Sequence, residues 1–509
     1  MSEFILNLEL HLETSYQQQI REKLIELIQK DQFGNKPLLS SRKMAQLLGV
    51  SRNTVVLVYE SLVDDGYLIS RERSGFFVNP DIQQENVLVL DHPGAQAKAT
   101  APNWCDRLPR KPASFSTLEK DPNWMKYPFP FIYGQIEASQ FPLYQWRDCS
   151  RHTQGRKAIN EWVEDSIDAD DSELVAQIRQ QILSRRGISA ANDEILITLG
   201  TQNSMSLLAL LVSSEHTTIG VEDPGYADLR YTFYQAGARI KPLALDPQGL
   251  QVGAQLRGCD YVYVTPSHQY PTTVTMPLER RKQLLTQAAA DDIVIIEDDY
   301  ESEVNFIEDP IPALKSLDNS GRVIYLGSIS KSLSPGLRIG YLVADRELIK
   351  QLRALRRLSY RHPPVNNQRT MALFLSQGYY ASHVRRMRRV YEKKWHLMAA
   401  GLTRHLSCCN IVMTPGSFCF WVKLPGLLSS HALITAAAKH GILVEAGDRL
   451  FVAPTAANNY IRLGFSAIPE TQIELGLAKL GELIDGLVHT STTPFVHSHY
   501  YQPTAHQLN

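Results

Sequence analysis

Lys331 stands among Ser328, Ser330, Ser332 and Ser334 in the run SISKSLSPGLRIGY (328–341), with Arg338 following. A lysine that carries an aldehyde as a Schiff base works best when partly desolvated, because burial lowers its pKa and favours the neutral amine. Serine hydroxyls and the planar donors of an arginine make a cradle for a phosphate. Upstream, IIEDDYESE (295–303) places consecutive acids at the carboxyl end of an apolar run, where α/β folds hold their ligands. Asp298 is placed to pair with a protonated ring nitrogen, or else to face water or a metal, and Tyr300 to reach a ring hydroxyl. In TLGTQNSM (198–205), Gly200 leaves room for close backbone approach, and Thr201 and Gln202 open a helix whose first amides suit a phosphate. Alone, such a Gly-Thr pair is simply a turn. Tyr226, after the Pro224-Gly225 turn, either stacks on a flat ring or packs in the core. Together these parts suit a flat, phosphorylated aldehyde held on an amine.

A second constellation lies near the N-terminus, in SSRKMAQLLGVSRNTVVLVYESLVDDGYL (40–68). Met44, Leu47 and Leu48 form one apolar helical face, and Gly49 is suited to end that helix. Ser51 caps the next helix, in which Val55, Val58, Tyr59 and Leu62 follow the i, i+3, i+4, i+7 spacing of a buried stripe. That leaves Arg52, Asn53 and Thr54 on the first exposed turn, where a recognition helix meets base edges and phosphates. YLISRERSGFFVN (67–79) reads as a hairpin turning at Ser74 and Gly75, with Arg71 and Arg73 as a basic wing. The alternative is a small interaction module with a solvated charged face. Net charge over the 509 residues is −1, so DNA binding rests on this local pattern rather than on global charge.

Elements must position these groups. ILITL (195–199), TTIGVE (217–222), YVYVT (261–265), IVIIED (293–298), VIYLG (323–327) and GYLVA (340–344) are β-branched and almost continuously apolar. That pattern predicts strands covered on both faces, and the amphipathic stretches between them predict a mainly parallel α/β sheet. Residues 81–125 shift to Pro, Ala and polar residues and read as a semi-extended linker between a module at 1–80 and one at 126–490. Residues 491–509 read as a poorly ordered tail. RRMRRVYEKK (385–394) reads as a solvated helix face leading into a small C-terminal subdomain, not as a DNA patch. The six cysteines form no CxxC pair and no metal-ligand cluster, so neither a disulfide framework nor a bound metal is expected. No run of about 18 apolar residues and no signal-peptide pattern is present, which predicts a cytoplasmic protein without a membrane span.

The match from Tyr16 through Phe77, with its GVSRNTV turn and SGFFV wing, resembles the winged helix-turn-helix of GntR-type regulators. That resemblance implies a dimer reading a two-fold operator in double-stranded DNA, with Arg42, Arg52 and Thr54 as contacts. From about 126 to 486 the chain resembles the fold-type I aminotransferases, and as a whole it resembles the MocR/GabR group of GntR regulators. The similarity implies pyridoxal 5'-phosphate on Lys331, with Asp298 at the pyridinium, Tyr300 at the ring hydroxyl and Tyr226 stacked on the ring. It also implies Thr201, Ser328, Ser330 and Arg338 at the phosphate, with Gln202 beside them. Arg462 in IRLGF (461–465) inherits the substrate-carboxylate role, although taken alone it reads as a structural ion-pair partner.

One turn departs from this pattern. Aminotransferases carry Asn-Pro-Thr-Gly where this chain has TPSHQYPTTVTM (265–276), with Tyr270 at the asparagine position and Thr273 at the glycine. The regulators also lack the asparagine, so the change points to a sensor rather than an efficient transaminase. His268 in this turn reads as a structural histidine. The expected function is therefore a DNA-binding regulator that senses a small amino compound through external aldimine formation. A working aminotransferase with an appended DNA-binding domain is the alternative. The resemblance offers γ-aminobutyrate, taurine, an ectoine-derived compound or the cofactor itself as the signal, and a head-to-tail homodimer as the assembly.

Overall fold

Helix caps organise the N-terminal unit. Ser15, Ser40 and Ser51 each accept a hydrogen bond from a backbone N–H in the first turn of the helices Tyr16–Gln29, Ser41–Leu48 and Arg52–Asp64. Gly49 ends the second helix at φ +66°, a left-handed conformation that suits glycine, and so turns the chain into the third. Val55, Val58, Tyr59 and Leu62 are all buried, as their spacing predicts. They pack with Ile20, Leu24, Met44 and Leu68 into a core confined to this unit. β1 (Leu68–Arg71) and β2 (Gly75–Val78) form the antiparallel wing hairpin.

The structure, a computed structural model, describes residues 14–34, 36–71, 74–84, 103–112, 115, 121–156, 158–165, 169–306, 311–329, 331–426, 428–453 and 458–491. Two compact units divide the chain, Met1–Pro109 and Arg110–Asn509. Much of the expected linker, all of the expected tail except Ser491, and both Arg73 and Ser330 lie outside the described residues.

In the second unit, after the short β3 (Phe129–Pro130), the expected apolar runs become strands. These are β4 (Ile195–Thr198), β5 (Thr218–Asp223), β8 (Tyr261–Val264), β9 (Val294–Asp298), β10 (Val323–Ser328) and β11 (Gly340–Val343). β6 (Arg239–Asp246) and β7 (Gly249–Leu250), which the apolar pattern did not mark, complete an eight-stranded sheet of order β4-β11-β10-β9-β8-β5-β6-β7. β6 escaped because it lies toward the sheet edge, where exposed Arg239 and Pro242 and half-buried Lys241 interrupt the apolar pattern. Pairing is parallel from β6 through β10, whereas β11 runs antiparallel to both β10 and β4. The carboxyl ends of β4, β5, β8, β9 and β10 thus share one edge, and every loop named for chemistry leaves from it.

A smaller sheet of order β12-β13-β16-β15 lies toward the C-terminus. Its strands are β12 (Asn410–Val412), β13 (Cys419–Lys423), β15 (Glu445–Ala446) and β16 (Tyr460–Gly464). β14 (Ile442–Leu443) instead pairs with β3. The basic run belongs to the helix Tyr379–His405, where Arg386 bonds Gln140 and Arg388 donates to the Glu303 carbonyl. The face is therefore partly tied to neighbouring segments rather than wholly solvated.

Candidate functional site

At the carboxyl edge of the large sheet lies a cavity, open at its mouth, that is lined by residues from nine separate stretches of the chain between Tyr133 and Arg462. Lys331, Asp298, Tyr300, Tyr226, Thr201 and Arg462 all reach it, although they are scattered from 201 to 462 in the sequence. Of the acids ending β9, Glu297 accepts from the backbone N–H groups of Leu314 and Lys315, and Asp299 pairs with Arg186 at 2.7 Å. Asp298 alone of the three lines the cavity. Tyr263 donates to its Oδ2 at 2.8 Å, while Oδ1 has no hydrogen-bond partner among the described residues although it is buried. Burial pushes this carboxyl up to about 7, against the pull of the Tyr263 hydroxyl and the Lys331 charge.

Gly200, at φ +89°, caps the helix Thr201–Val212. A side chain there would come within 3.0 Å of the Arg338 guanidinium, and one at Gly340 would come within 2.6 Å of Gly200 Cα. The β4–β11–β10 register lines up Thr198, Gly340 and Ser328, and this close packing sets the helix start beside Arg338. Arg338 itself donates to the Leu199 carbonyl at 2.6 Å. Gln202 is not among the residues that line the cavity. Its Oε1 lies 3.1 Å from the Tyr226 hydroxyl and its amide donates to Thr232, so it holds Tyr226 rather than lining the cavity. Ser328 is buried at the end of β10. Ser332 is structural, bonded to the Ile329 carbonyl and the Tyr380 hydroxyl.

The remaining wall is aromatic. Lys331 Nζ lies 4.1 Å from the centroid of the Tyr133 ring. Tyr270 meets Tyr226, Tyr133 and Tyr300 edge-on, with centroids 5.2, 6.2 and 6.2 Å apart. Tyr300 donates its phenolic proton to the His268 carbonyl at 2.8 Å. His268 itself is buried and absent from the cavity lining, with burial holding its ring down to about 4. Thr273 adopts φ +68°, so the turn keeps the left-handed backbone of a glycine despite a β-branched residue. Tyr133, Tyr263, Asp228 and Leu450 also line the cavity without having been singled out from sequence. Tyr133 and Leu450 lie in apolar runs with no spacing signal. Tyr263 had a weak one, since alternation along β8 puts it on the face of the sheet opposite Val262.

Residues 163–480 match the family described as aminotransferase class I and II, and residues 16–78 match the bacterial regulatory proteins of the gntR family. The HTH-type transcriptional regulator TauR of Rhodobacter capsulatus is 37% identical over 478 residues, covering 92% of this chain and 96% of that protein. The probable rhizopine catabolism regulatory protein MocR of Rhizobium meliloti is 32% identical and covers 89% of this chain and 90% of its own length. Both relatives span the two modules.

The chain belongs to the MocR group of GntR-type transcriptional regulators.

The aminotransferase module of this MocR-type regulator is similar to the crystal structure of LysN, an α-aminoadipate aminotransferase from Thermus thermophilus solved with N-(5'-phosphopyridoxyl)-L-leucine. The TM-score is 0.69 at 26% identity, covering 76% of this chain and all of that one. In the GntR module of the regulator, Arg42, Ser51, Arg52 and Asn53 are exposed and Thr54 is half-buried. Ser51 Oγ caps the third helix through Thr54 N at 3.1 Å and also meets Thr54 Oγ1 at 2.8 Å, so its side chain is committed to the helix start. Arg52 Nε reaches back 3.4 Å to Ser41. Arg71 stacks over Phe77 at 4.6 Å on the wing. Among the described residues no helix is long and apolar enough to cross a membrane, and no cluster of candidate ligands could hold a metal ion.

Proposed function

We propose that this regulator carries pyridoxal 5'-phosphate on Lys331 and that a small amino compound, by competing with Lys331 for the cofactor, alters operator binding by the winged helix. One observation carries the reading: Asp298, with a buried oxygen that has no hydrogen-bond partner among the described residues, shares a cavity with Lys331. A buried carboxylate oxygen without a donor is costly, and a protonated ring nitrogen would satisfy it. The residues present fit the cofactor elsewhere too. Thr201 at its helix start and Arg338 beside Gly200 suit the phosphate, and Tyr226 offers a ring face held by Gln202.

When bound, the cofactor supplies an aldehyde that condenses reversibly with primary amines. The chain's own residues then divide the work. Asp298 holds the ring-nitrogen proton and Tyr226 orients the ring. Arg462 lies at the cavity wall as the site for the anionic end of the amino compound. Tyr270 excludes the side-chain amide that aminotransferases place at this turn, which supports sensing over turnover. An effector acts only through a difference in affinity between DNA-binding and non-binding conformations. In the GntR module, Arg42, Arg52, Asn53 and Thr54 are assigned to the major groove and its phosphates, with Ser51 setting the helix start. Arg71 and Arg73 are assigned to the wing. A head-to-tail homodimer on a two-fold operator follows from the resemblance to the MocR/GabR group.

Borohydride reduction followed by mass spectrometry tests the assignment. The cofactor mass is expected on the peptide containing Lys331 and absent from Lys331→Ala. No added mass in the wild-type protein overturns it. Addition of an amino donor is expected to shift the visible absorbance and change operator affinity. Sustained turnover at roughly 1 per second or faster with a 2-oxo acid would instead establish an enzyme.

A further inference from the structure

Two cations lie over one aromatic ring: Lys331 Nζ is 4.1 Å and the Arg462 guanidinium carbon 4.4 Å from the centroid of Tyr133. Unscreened, they would repel each other. Nε and Nη2 of Arg462, however, lie 2.9 and 2.8 Å from Glu445 Oε2, so this structural ion pair balances the arginine's charge inside the fold. The π system of Tyr133 is then left to attract the Lys331 ammonium, which sits well inside the 6 Å or so over which such attraction is felt. Tyr133 is buried and held in place, with Tyr270 and Tyr300 edge-on to it at centroid distances of 6.2 and 6.4 Å. Tyr133 and Lys331 both line the cavity. The ring is thus a fixed surface against which the lysine rests while its amine is unlinked.

That resting place matters when an amine takes the position of Lys331 on the cofactor. One C–N bond forms at the aldehyde carbon and the bond from that carbon to Nζ breaks. The incoming ammonium gives up two protons and Nζ gains two, so Lys331 emerges as an ammonium inside the cavity. Two nearby acids feel its charge, Asp298 and Glu301. In the loaded protein Asp298 is committed to the ring nitrogen, and Glu301 does not line the cavity. A cation released into a partly desolvated site is costly unless something there stabilises it. We infer that Tyr133 receives Lys331 once a competing amine has displaced it, and is therefore a positioning residue that strengthens effector binding by stabilising the released ammonium. The inference rests on the sensor reading above and deepens it, because part of the effector's affinity is then set by where the lysine goes rather than by what the effector touches.

The test uses the full-length protein and two amines, propylamine and γ-aminobutyrate, with affinity read from the visible spectral shift of the cofactor-loaded form. Tyr133→Leu is expected to weaken both amines by roughly tenfold, the value of a partly desolvated cation–π contact. Propylamine carries no anionic group, so an equal loss for the two amines places the effect at Lys331, whereas a loss confined to γ-aminobutyrate places it at Arg462 and overturns the inference. Tyr133→Phe keeps the ring and is expected to recover most of the affinity. A second readout separates this role from a collapsed wall. Cofactor affinity of the cofactor-free protein, measured by equilibrium dialysis, is expected to hold or rise in Tyr133→Leu, because the unlinked lysine that competes with linkage has lost its resting place. A fall in cofactor affinity matching the fall in amine affinity overturns the inference. Should Tyr133→Leu fail to fold, the wild type decides. In a crystal structure with the reduced adduct N-(5'-phosphopyridoxyl)propylamine, Lys331 Nζ is expected over the Tyr133 ring, and a lysine turned elsewhere overturns the inference. If amines displace Lys331 equally well in wild type and Tyr133→Leu, only this inference fails. If no amine shifts the wild-type spectrum, the sensor reading fails and takes the inference with it.

Discussion

Asp298 enters the fold with its carboxyl pushed up to about 7 by burial, so near neutrality the cofactor-free protein holds it partly protonated. The ionised form is the one that pairs with a protonated ring nitrogen, and its fraction grows as pH rises through 7. Cofactor affinity is therefore expected to increase between pH 6 and pH 8, measured by equilibrium dialysis of the apo-protein. Asp298→Asn is expected to remove the ionisation from the pH profile and weaken binding by about tenfold or more, since it loses a charge-assisted bond. A pH-independent affinity in the wild type would contradict this account. Thr273 offers a stability test at the same scale. Its φ of +68° is a conformation glycine adopts without strain, whereas a β-branched residue there costs on the order of 1–3 kcal/mol. Thr273→Gly is expected to raise the denaturation midpoint by about 1 kcal/mol equivalent after the lost side-chain packing is subtracted.

Among the elements, the start of the helix Thr201–Val212 depends on two glycines that touch. Gly340→Ala drives a methyl into the Gly200 backbone, with no flexible side chain to give way. It is expected to displace the helix start from Arg338 and to lower affinity for the cofactor more than it lowers stability, a split that calorimetry on apo and loaded protein resolves. In the winged helix, Ser51→Ala removes the cap on Thr54 N and is expected to cost about 1 kcal/mol of stability. Arg52→Ala is expected to leave stability within about 0.5 kcal/mol and weaken operator binding. If Arg52 meets a phosphate, the slope of log affinity against log salt drops by about 1; if it meets a base, sequence discrimination relaxes instead.

At the scale of the whole molecule, the aminotransferase-like unit buries several acids. Glu222, Asp298, Glu301 and Glu303 are each pushed up to about 7, in every case first by burial. Folded values above the unfolded ones mean that their stabilising contribution is present at low pH and is lost as pH rises through 7. The histidines His268 and His383 act in the opposite sense. Burial holds both near 4, so their contribution is present above the unfolded value and disappears as pH falls through 4. Between pH 6 and pH 8 the carboxylates dominate, and the cofactor-free protein is expected to melt at a lower temperature at pH 8. Loading the cofactor gives Asp298 a cationic partner and should flatten that dependence, which differential scanning calorimetry of the two forms can check.

The sequence alone determined the winged helix almost residue by residue, because capping serines, a helix-ending glycine and a buried i, i+3, i+4, i+7 stripe are local devices that act within a few residues. It also determined the strands of the large sheet that are buried on both faces, and the order of the loops bearing Lys331, Asp298 and Thr201. Tertiary structure decided which of three adjacent acids faces the cavity, that Gln202 serves Tyr226 instead of the cavity, and that Tyr133, Tyr263 and Asp228 belong to its wall. It also decided that Arg462 comes already paired with Glu445, seventeen residues away in sequence. These outcomes depend on strand register and on contacts between distant segments, and no short-range pattern of residue types encodes either.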